Sequence, residues 1–403
     1  MNVGQSRILF SMAVLLGALA SGCTSTGTSG MPDAAVMTDA HAGDGSADGA
    51  AVTCSPEGPF DGAPVTATAG QWTWVGVPQA LCRDGSTTGF GIRLNPASDK
   101  LVIYFQGGGA CFNSATCTSN PATFGPTQFS LAVIAGGQTG IFNSTDAINP
   151  FKDWNAIFVP YCTGDVHSGS ATGVNVPGVG SPTNQQFVGY RNVGHYLKRI
   201  IPTFPNVTRV LLTGASAGGF GSMLNYHRVA QAFCPRPVSL VNDSGPIFAD
   251  AYLSPCLQRR WRQLWGFDAN LPSGCTGCSN TDGGGFVNYE RFLGQTYGTQ
   301  RLGIISSLQD STISYFYGFG LNSCLAIDGN PGPLPGTTFQ AGLTDLRDNN
   351  LKQFSPWGTY FLGGSSHTIL NSGTFSATTV AGSKLTDWML NIANQGPSAH
   401  VAP

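Results

Sequence analysis

Charge is scarce in this sequence. Lys and Arg number 19 and Asp and Glu 21 among 403 residues, so charged side chains make up 10% of the chain, against about 25% in an average soluble protein. The net charge is −2 and the isoelectric point is near 6.3. A balance this neutral leaves no electrostatic footprint for nucleic acid and speaks against a nucleic-acid partner. Long apolar runs are missing as well. The longest, residues 8–20, has 13 residues, too few to cross a bilayer comfortably but suited to the core of a signal peptide. Zinc motifs are incomplete: Cys275-x-x-Cys278 has no second pair and no nearby His to supply four ligands. No metal and no organic cofactor is expected.

What is present begins with the export signals. Arg7 precedes the apolar run, which ends in Leu-Ala-Ser-Gly-Cys at residues 19–23. Small residues closing on a Cys resemble a bacterial lipobox, so residues 1–22 are expected to be removed and Cys23 to carry lipid. Two or more acyl chains on that Cys would hold the protein at a membrane stably, and the membrane is expected as a partner only through this anchor. Residues 24–53 contain no Lys, Arg, Phe, Tyr or Trp. Such a segment cannot bury enough apolar surface to offset its ordering entropy, and it reads as a disordered spacer. An esterase domain is expected over 54–395 and a disordered tail over 396–403. With Cys23 set aside, ten Cys remain. An even number in an exported chain reads as disulfides.

Within the domain, short apolar runs alternate with helical spacing. Residues 101–105, 155–161, 207–213, 238–241, 302–305 and 359–362 read as buried strands, while 187–201 and 220–233 carry apolar residues at helical spacing. Continuous apolar strands alternating with helices predict an α/β fold, a mostly parallel central sheet covered by helices on both faces. Residues 252–300, rich in Cys, Gly and aromatics, read as an insertion or cap near the site.

Chemistry enters with Gly214-Ala-Ser216-Ala-Gly218. With 55 glycines in the chain, Gly-x-Ser-x-Gly arises by chance about half a time. Its place between a predicted strand and a predicted helix gives it meaning, because that is the setting of a nucleophile elbow. The residue after such a Ser, here Ala217, supplies one oxyanion N–H, and a Gly-rich loop after an earlier strand supplies another. Residues 106–111, Gln-Gly-Gly-Gly-Ala-Cys, follow the strand at 101–105 and fit that role. For the general base, His41 and His400 lie outside the expected domain, His195 and His227 lie on or beside predicted helices, and His167 lies in a loop. His367 follows the strand at 359–362 and comes last in the order Ser, acid, His. Asp243 and Asp310 both follow strands between Ser216 and His367. The later position favours Asp310, while Asp328 and Asp345 read as loop caps.

Three segments together carry a family resemblance: Gly-Gly-Gly-Ala-Cys-Phe-Asn (107–113), Phe-Val-Pro-Tyr-Cys-Thr-Gly-Asp-Val-His-Ser-Gly (158–169) and Leu-Leu-Thr-Gly-Ala-Ser-Ala-Gly-Gly (211–219). They resemble the pectin acetylesterase/Notum family over most of residues 80–370. The resemblance implies an α/β-hydrolase-like fold and carboxylic-ester hydrolysis. It places the triad on Ser216, Asp310 and His367, and the oxyanion donors on Gly108, Gly109 and Ala217. It also implies disulfides Cys111–Cys117 and Cys82–Cys162. Departures occur at Ala110, Gly109 and His167, where family members carry Trp, and they bear on the acyl and leaving-group pockets. The expected activity is removal of O-acetyl groups from a polysaccharide such as pectin. The alternatives are a Notum-like longer-chain acyl esterase and a catalytically inactive carbohydrate-binding surface protein.

Overall fold

The computed structural model describes residues 53–135 and 138–403. The expected leader, the Cys23 expected to carry lipid and all but the last residue of the expected spacer lie outside these residues. Among the described residues the principal sheet has nine strands: β1 (Trp72–Leu81), β2 (Thr87–Arg93), β3 (Lys100–Phe105), β4 (Asn155–Val159), β5 (Arg209–Ala215), β6 (Val238–Asp243), β7 (Leu302–Ser307), β8 (Trp357–Leu362) and β9 (His400–Val401). Their order is β1-β2-β4-β3-β5-β6-β7-β8-β9. β2 pairs antiparallel with both β1 and β4, and every other ladder is parallel.

The apolar runs form central strands because both faces of the sheet are covered. Along β3, Leu101, Ile103 and Phe105 enter one core, while Val102 and Tyr104 enter the other. A strand buried on both sides has no polar alternation to show. One face is covered by α1 (Gly189–Thr203), whose Val193, Tyr196, Leu197 and Ile200 share a side. The opposite face is covered by α7 (Leu385–Ala393) through Leu385, Trp388, Met389 and Ile392. Both sets follow the three- and four-residue steps of an amphipathic helix.

Two expectations change. The helix expected over 220–233 is two helices, α2 (Ala217–Leu224) and α3 (Tyr226–Phe233). They part at Asn225, whose side-chain amide donates to His167 O and Gly221 O, so a side chain competes with the helical ladder there. The tail expected to be disordered over 396–403 instead carries β9. Strand β8 would otherwise expose an unpaired edge; the Thr359 N–H donates to Ala399 O, and Trp388 Nε1 donates to the same carbonyl at 2.9 Å.

The segment 252–300 contains α4 (Pro255–Trp265) and α5 (Asn288–Thr296). Among the described residues there are five disulfides: Cys54–Cys234, Cys82–Cys162, Cys111–Cys117, Cys256–Cys324 and Cys275–Cys278. They include both pairs implied by the family resemblance. Cys275 and Cys278 are bonded to each other, so neither is free to hold a metal.

Candidate active site

The strand order reverses at β3. From there the chain goes out to β4 on one side and returns to β5 on the other. In parallel α/β sheets the crevice at the carboxyl ends of the strands flanking such a reversal is the natural ligand site. The Gly-rich loop leaves β3 there and Ser216 leaves β5.

Ser216 has φ 59° and ψ −124°, in the left-handed half of backbone space that L-residues rarely enter. The strain is held by neighbours. The Ser216 N–H donates to Asp243 O at 2.8 Å, and Ser216 O accepts from the N–H of Gly219 and Phe220. The flanking glycines are there because the backbones are too close for side chains. A Cβ on Gly214 would lie 2.2 Å from Gly218 O, and one on Gly218 would lie 1.9 Å from Phe105 O.

The expected oxyanion donors sit beside it. Gly108 O accepts from Asn120 Nδ2 at 2.7 Å. The trans peptide therefore turns the Gly109 N–H the other way. Among the described residues, the N–H groups of Gly108, Gly109 and Ala217 have no protein acceptor. Gly109 and Ala217 line a cavity that also contains Ser216. The loop is pinned by Cys111–Cys117, by Trp265 Nε1 donating to Cys111 O, and by the buried Arg83, which donates to Cys117 O and to both oxygens of Asn120.

Asp310 ends the turn after β7 and is the N-cap of α6 (Ser311–Gly318). Its Oδ1 accepts the N–H groups of Thr312 and Ile313, each at 2.9 Å. Its Oδ2 faces His367 Nδ1 at 2.8 Å. A carboxylate only accepts, so the neutral imidazole carries its proton on Nδ1 and leaves Nε2 with a lone pair. His367 Nε2 is buried and has no hydrogen-bond partner in the described residues. His367 and Ser216 line one open cavity of about 360 Å³ with Gln106, Thr312 and Asn371. Nε2 and Ser216 are not hydrogen-bonded; such contacts commonly tighten only when substrate binds.

The other acid weighed from the sequence, Asp243, is not the partner of the ring. It is fully buried at the end of β6. Its Oδ2 accepts the N–H groups of Ile369 and Leu370, and its Oδ1 accepts the Ser244 hydroxyl. Burial pushes its carboxyl above the ordinary value, against the pull of those donors.

His167 is brought close but faces away from this chemistry. It is 2% exposed, lies against Tyr161 and Phe105, and its Nε2 donates to Gln106 O at 2.8 Å. It thereby braces the Gly-rich loop. Burial pushes its pKa down to about 4 from 6.5. Between those values the unfolded chain binds a proton that the folded chain refuses, so stability falls as pH drops through the window and is fully present above about 6.5. At about 1.4 kcal/mol per unit this amounts to about 3 kcal/mol. Urea unfolding between pH 7 and pH 4 is expected to show that loss, and His167→Gln to flatten the slope.

A second cavity at Ser216, with no signal in the sequence, is apolar. It runs from Gly109 and Ala217 past Phe316 and Phe220 to Trp261, Trp265 and Phe286. The two indoles are parallel, 5.8 Å apart. The open space within it is about 40 Å³.

Comparison with known proteins follows the same lines. The family model for Pectinacetylesterase matches residues 68–290, more than half of the chain. The palmitoleoyl-protein carboxylesterase NOTUM of Homo sapiens is 31% identical over 156 residues, which are 37% of this chain and 30% of the human protein. The protein of that name from Drosophila melanogaster is 30% identical over 217 residues, 48% of this chain and 31% of its own length. The alignments thus span under a third of these relatives. The structure of the Wnt deacylase Notum from Drosophila superposes with a TM-score of 0.54 at 21% identity, covering 78% of this chain and 90% of that one. That likeness is one of fold, an α/β-hydrolase fold.

Proposed function

This chain belongs to the pectinacetylesterase family, and from that premise we propose that it is a serine carboxylesterase removing short O-acyl groups, acetyl foremost, from a polysaccharide. The observation that carries the reading is the 2.8 Å contact between His367 Nδ1 and Asp310 Oδ2, on a loop that shares a cavity with the strained Ser216. In this reading Ser216 Oγ attacks the acyl carbon while His367 Nε2 takes its proton. The tetrahedral oxyanion turns to the N–H groups of Gly108, Gly109 and Ala217; losing one such donor costs about 3–4 kcal/mol of transition-state stabilisation. His367 then gives the proton to the leaving alcohol. Water repeats the sequence on the acyl-enzyme and releases the acid. Asp310 holds the imidazole tautomer throughout. These steps use side chains and backbone N–H groups alone.

The two cavities support the assignment of the substrate's halves. The apolar one has about 40 Å³ of open space, and a single water already needs at least about 10–15 Å³. It suits an acyl group of a few non-hydrogen atoms. The open one, with Gln106, Thr312 and Asn371 on its wall, suits a hydroxylated leaving group such as a sugar. A longer acyl chain is the second reading. It is favoured by the apolar lining and by the relatives named palmitoleoyl-protein carboxylesterase; it requires the aromatic wall to open. The five disulfides favour an exported protein, since such bonds persist in oxidising compartments. Lipidation of Cys23 is part of the proposal.

A chain-length series tests the reading. Residues 54–403 are given p-nitrophenyl acetate, butyrate and octanoate, and acetylated pectin with acetate release as readout. Acetate is expected to exceed octanoate in kcat/KM by at least about 100-fold, since octanoate carries six further methylenes and a pocket too small for even one rejects it by about 10–200-fold. Preference for octanoate would defeat the short-chain reading. No turnover of any ester would defeat the enzyme itself.

A further inference from the structure

Asp243 makes no hydrogen bond to the His367 ring, whose Nδ1 is taken by Asp310, yet it bonds to both halves of the arrangement. Its backbone carbonyl accepts the Ser216 N–H at 2.8 Å. Its side chain reaches the segment that follows His367: Oδ2 accepts the Ile369 N–H at 2.8 Å and the Leu370 N–H at 2.9 Å. The neighbouring Ser244 hydroxyl donates to Asp243 Oδ1 at 3.0 Å and accepts the Thr368 N–H at 3.2 Å. Three successive N–H groups after His367 therefore converge on one dipeptide.

The loop needs such a hold. Residues 363–369 form no regular structure. Their leading side is tied to the Asp310 turn, by Gln309 N–H to Gly364 O and Ser311 N–H to Ser365 O. Their trailing side is tied to Asp243 and Ser244. Both Ser244 (φ 61°) and Thr368 (φ 58°) are left-handed, a conformation non-Gly residues keep only where neighbours enforce it. Every partner of the Asp243 carboxylate is a donor, which matches the charged form and strengthens each bond.

We infer that Asp243 is a positioning residue of this site: one buried carboxylate locks the His367 loop to the Ser216 elbow and so sets the separation of base and nucleophile. The inference rests on the serine-esterase reading above. It differs from the role given to Asp310, which is hydrogen-bonded to the ring; Asp243 is hydrogen-bonded to the backbone on either side and to the Ser244 hydroxyl.

The test uses Asp243→Ala, Asp243→Asn and Ser244→Ala, with Ser216→Ala and His367→Ala as references, on p-nitrophenyl acetate. A misplacement of about 1 Å costs about 100-fold, so Asp243→Ala is expected to lower kcat by about 100-fold with KM changed less than about threefold. Asp243→Asn keeps an acceptor for the Ile369 and Leu370 N–H groups and is expected to recover all but about fivefold of that loss. Ser244→Ala removes one tie and should cost about tenfold, the rate equivalent of about 1.4 kcal/mol. Without substrate, the low-field proton resonance of the His367–Asp310 hydrogen bond should persist in Ser216→Ala and Asp243→Asn and vanish in Asp243→Ala. A folded Asp243→Ala with wild-type kcat and an intact resonance would overturn the inference. Should that variant fail to fold, unchanged kcat in Ser244→Ala overturns it equally. Wild-type activity in Ser216→Ala or His367→Ala would instead remove the esterase reading beneath it, a different result.

Discussion

Ser216→Ala is expected to lower kcat on any ester substrate by about 10⁶-fold, the scale seen when a serine hydrolase loses its nucleophile, while leaving thermal stability nearly untouched. Both halves follow from the elbow. Among the described residues the Ser216 side chain makes no hydrogen bond, so removing Oγ strands no partner. The strained φ of 59° is held by backbone bonds to Asp243, Gly219 and Phe220, and Ala bears that strain as Ser does. What is lost, on the proposed mechanism, is the atom that forms the acyl-enzyme. The N–H groups of Gly109 and Ala217 remain, and the variant should retain a rate about 10³–10⁴ above water from that electrostatic contribution and from binding. Stopped assays with acetate detection and a melting curve check the two expectations together. A variant that hydrolyses acetate esters at the wild-type rate would mean that Ser216 is a strained turn and nothing more.

Asp310→Asn is expected to lower kcat by about 10⁴-fold, the cost of presenting imidazole in the wrong tautomer, with the fold intact. The helix cap decides the outcome. Asp310 Oδ1 accepts two N–H groups of α6, whereas Oδ2 has only His367 Nδ1. Asn is as good an N-cap as Asp, so its single oxygen should stay on the helix and its amide should turn to the histidine. Facing a donor, Nδ1 must become the acceptor. The ring proton then moves to Nε2, and the nitrogen that should accept the Ser216 proton is blocked. A melting temperature within a few degrees of wild type, alongside the lost kcat, separates this from unfolding. If the variant keeps more than a tenth of wild-type kcat, the ring is being oriented by something other than Asp310.

The parts of this molecule that were readable in advance are those dictated by local chemistry. The central strands announce themselves because both faces are buried, and the elbow because Gly-x-Ser-x-Gly falls between a strand signal and a helix signal. The β1–β2 pair carries no strand signal in the sequence. It holds Gly76 and Pro78 in one strand and Gly89 and Gly91 in the other, residues that ordinarily mark loops. Their reason is tertiary: a Cβ on Gly89 would sit 2.0 Å from Val75 O, and Gly91 lies under the Phe129 ring. Strand β9 is silent in the sequence because two residues cannot show a period. Ser216, Asp310 and His367 can be nominated by order along the chain, and the later position favours Asp310 over Asp243 without showing what either touches. Both follow strands, and only the fold decides which faces the ring and which the backbone. The apolar cavity was equally hidden, because Gly109, Trp261 and Phe316 meet only after residues far apart in sequence are folded together.

The division of the site at Ser216 has a consequence for how such an enzyme changes. Residues of the insertion over 252–300, among them Leu253, Trp261, Trp265 and Phe286, wall the apolar cavity and contribute nothing to the open one. The open cavity is built by the ends of β3 and β5 and by the His367 loop. On the proposed reading, acyl preference depends in part on 252–300, which does not reach the open cavity, while Gly109, Ser216 and α6 border both cavities, α6 through Thr312 on one side and Ile313 and Phe316 on the other. A chimera exchanging only 252–300 should move acyl length toward its donor's while keeping its own taste in alcohols, because none of those residues lines the open cavity; changes in α6 should move both traits together.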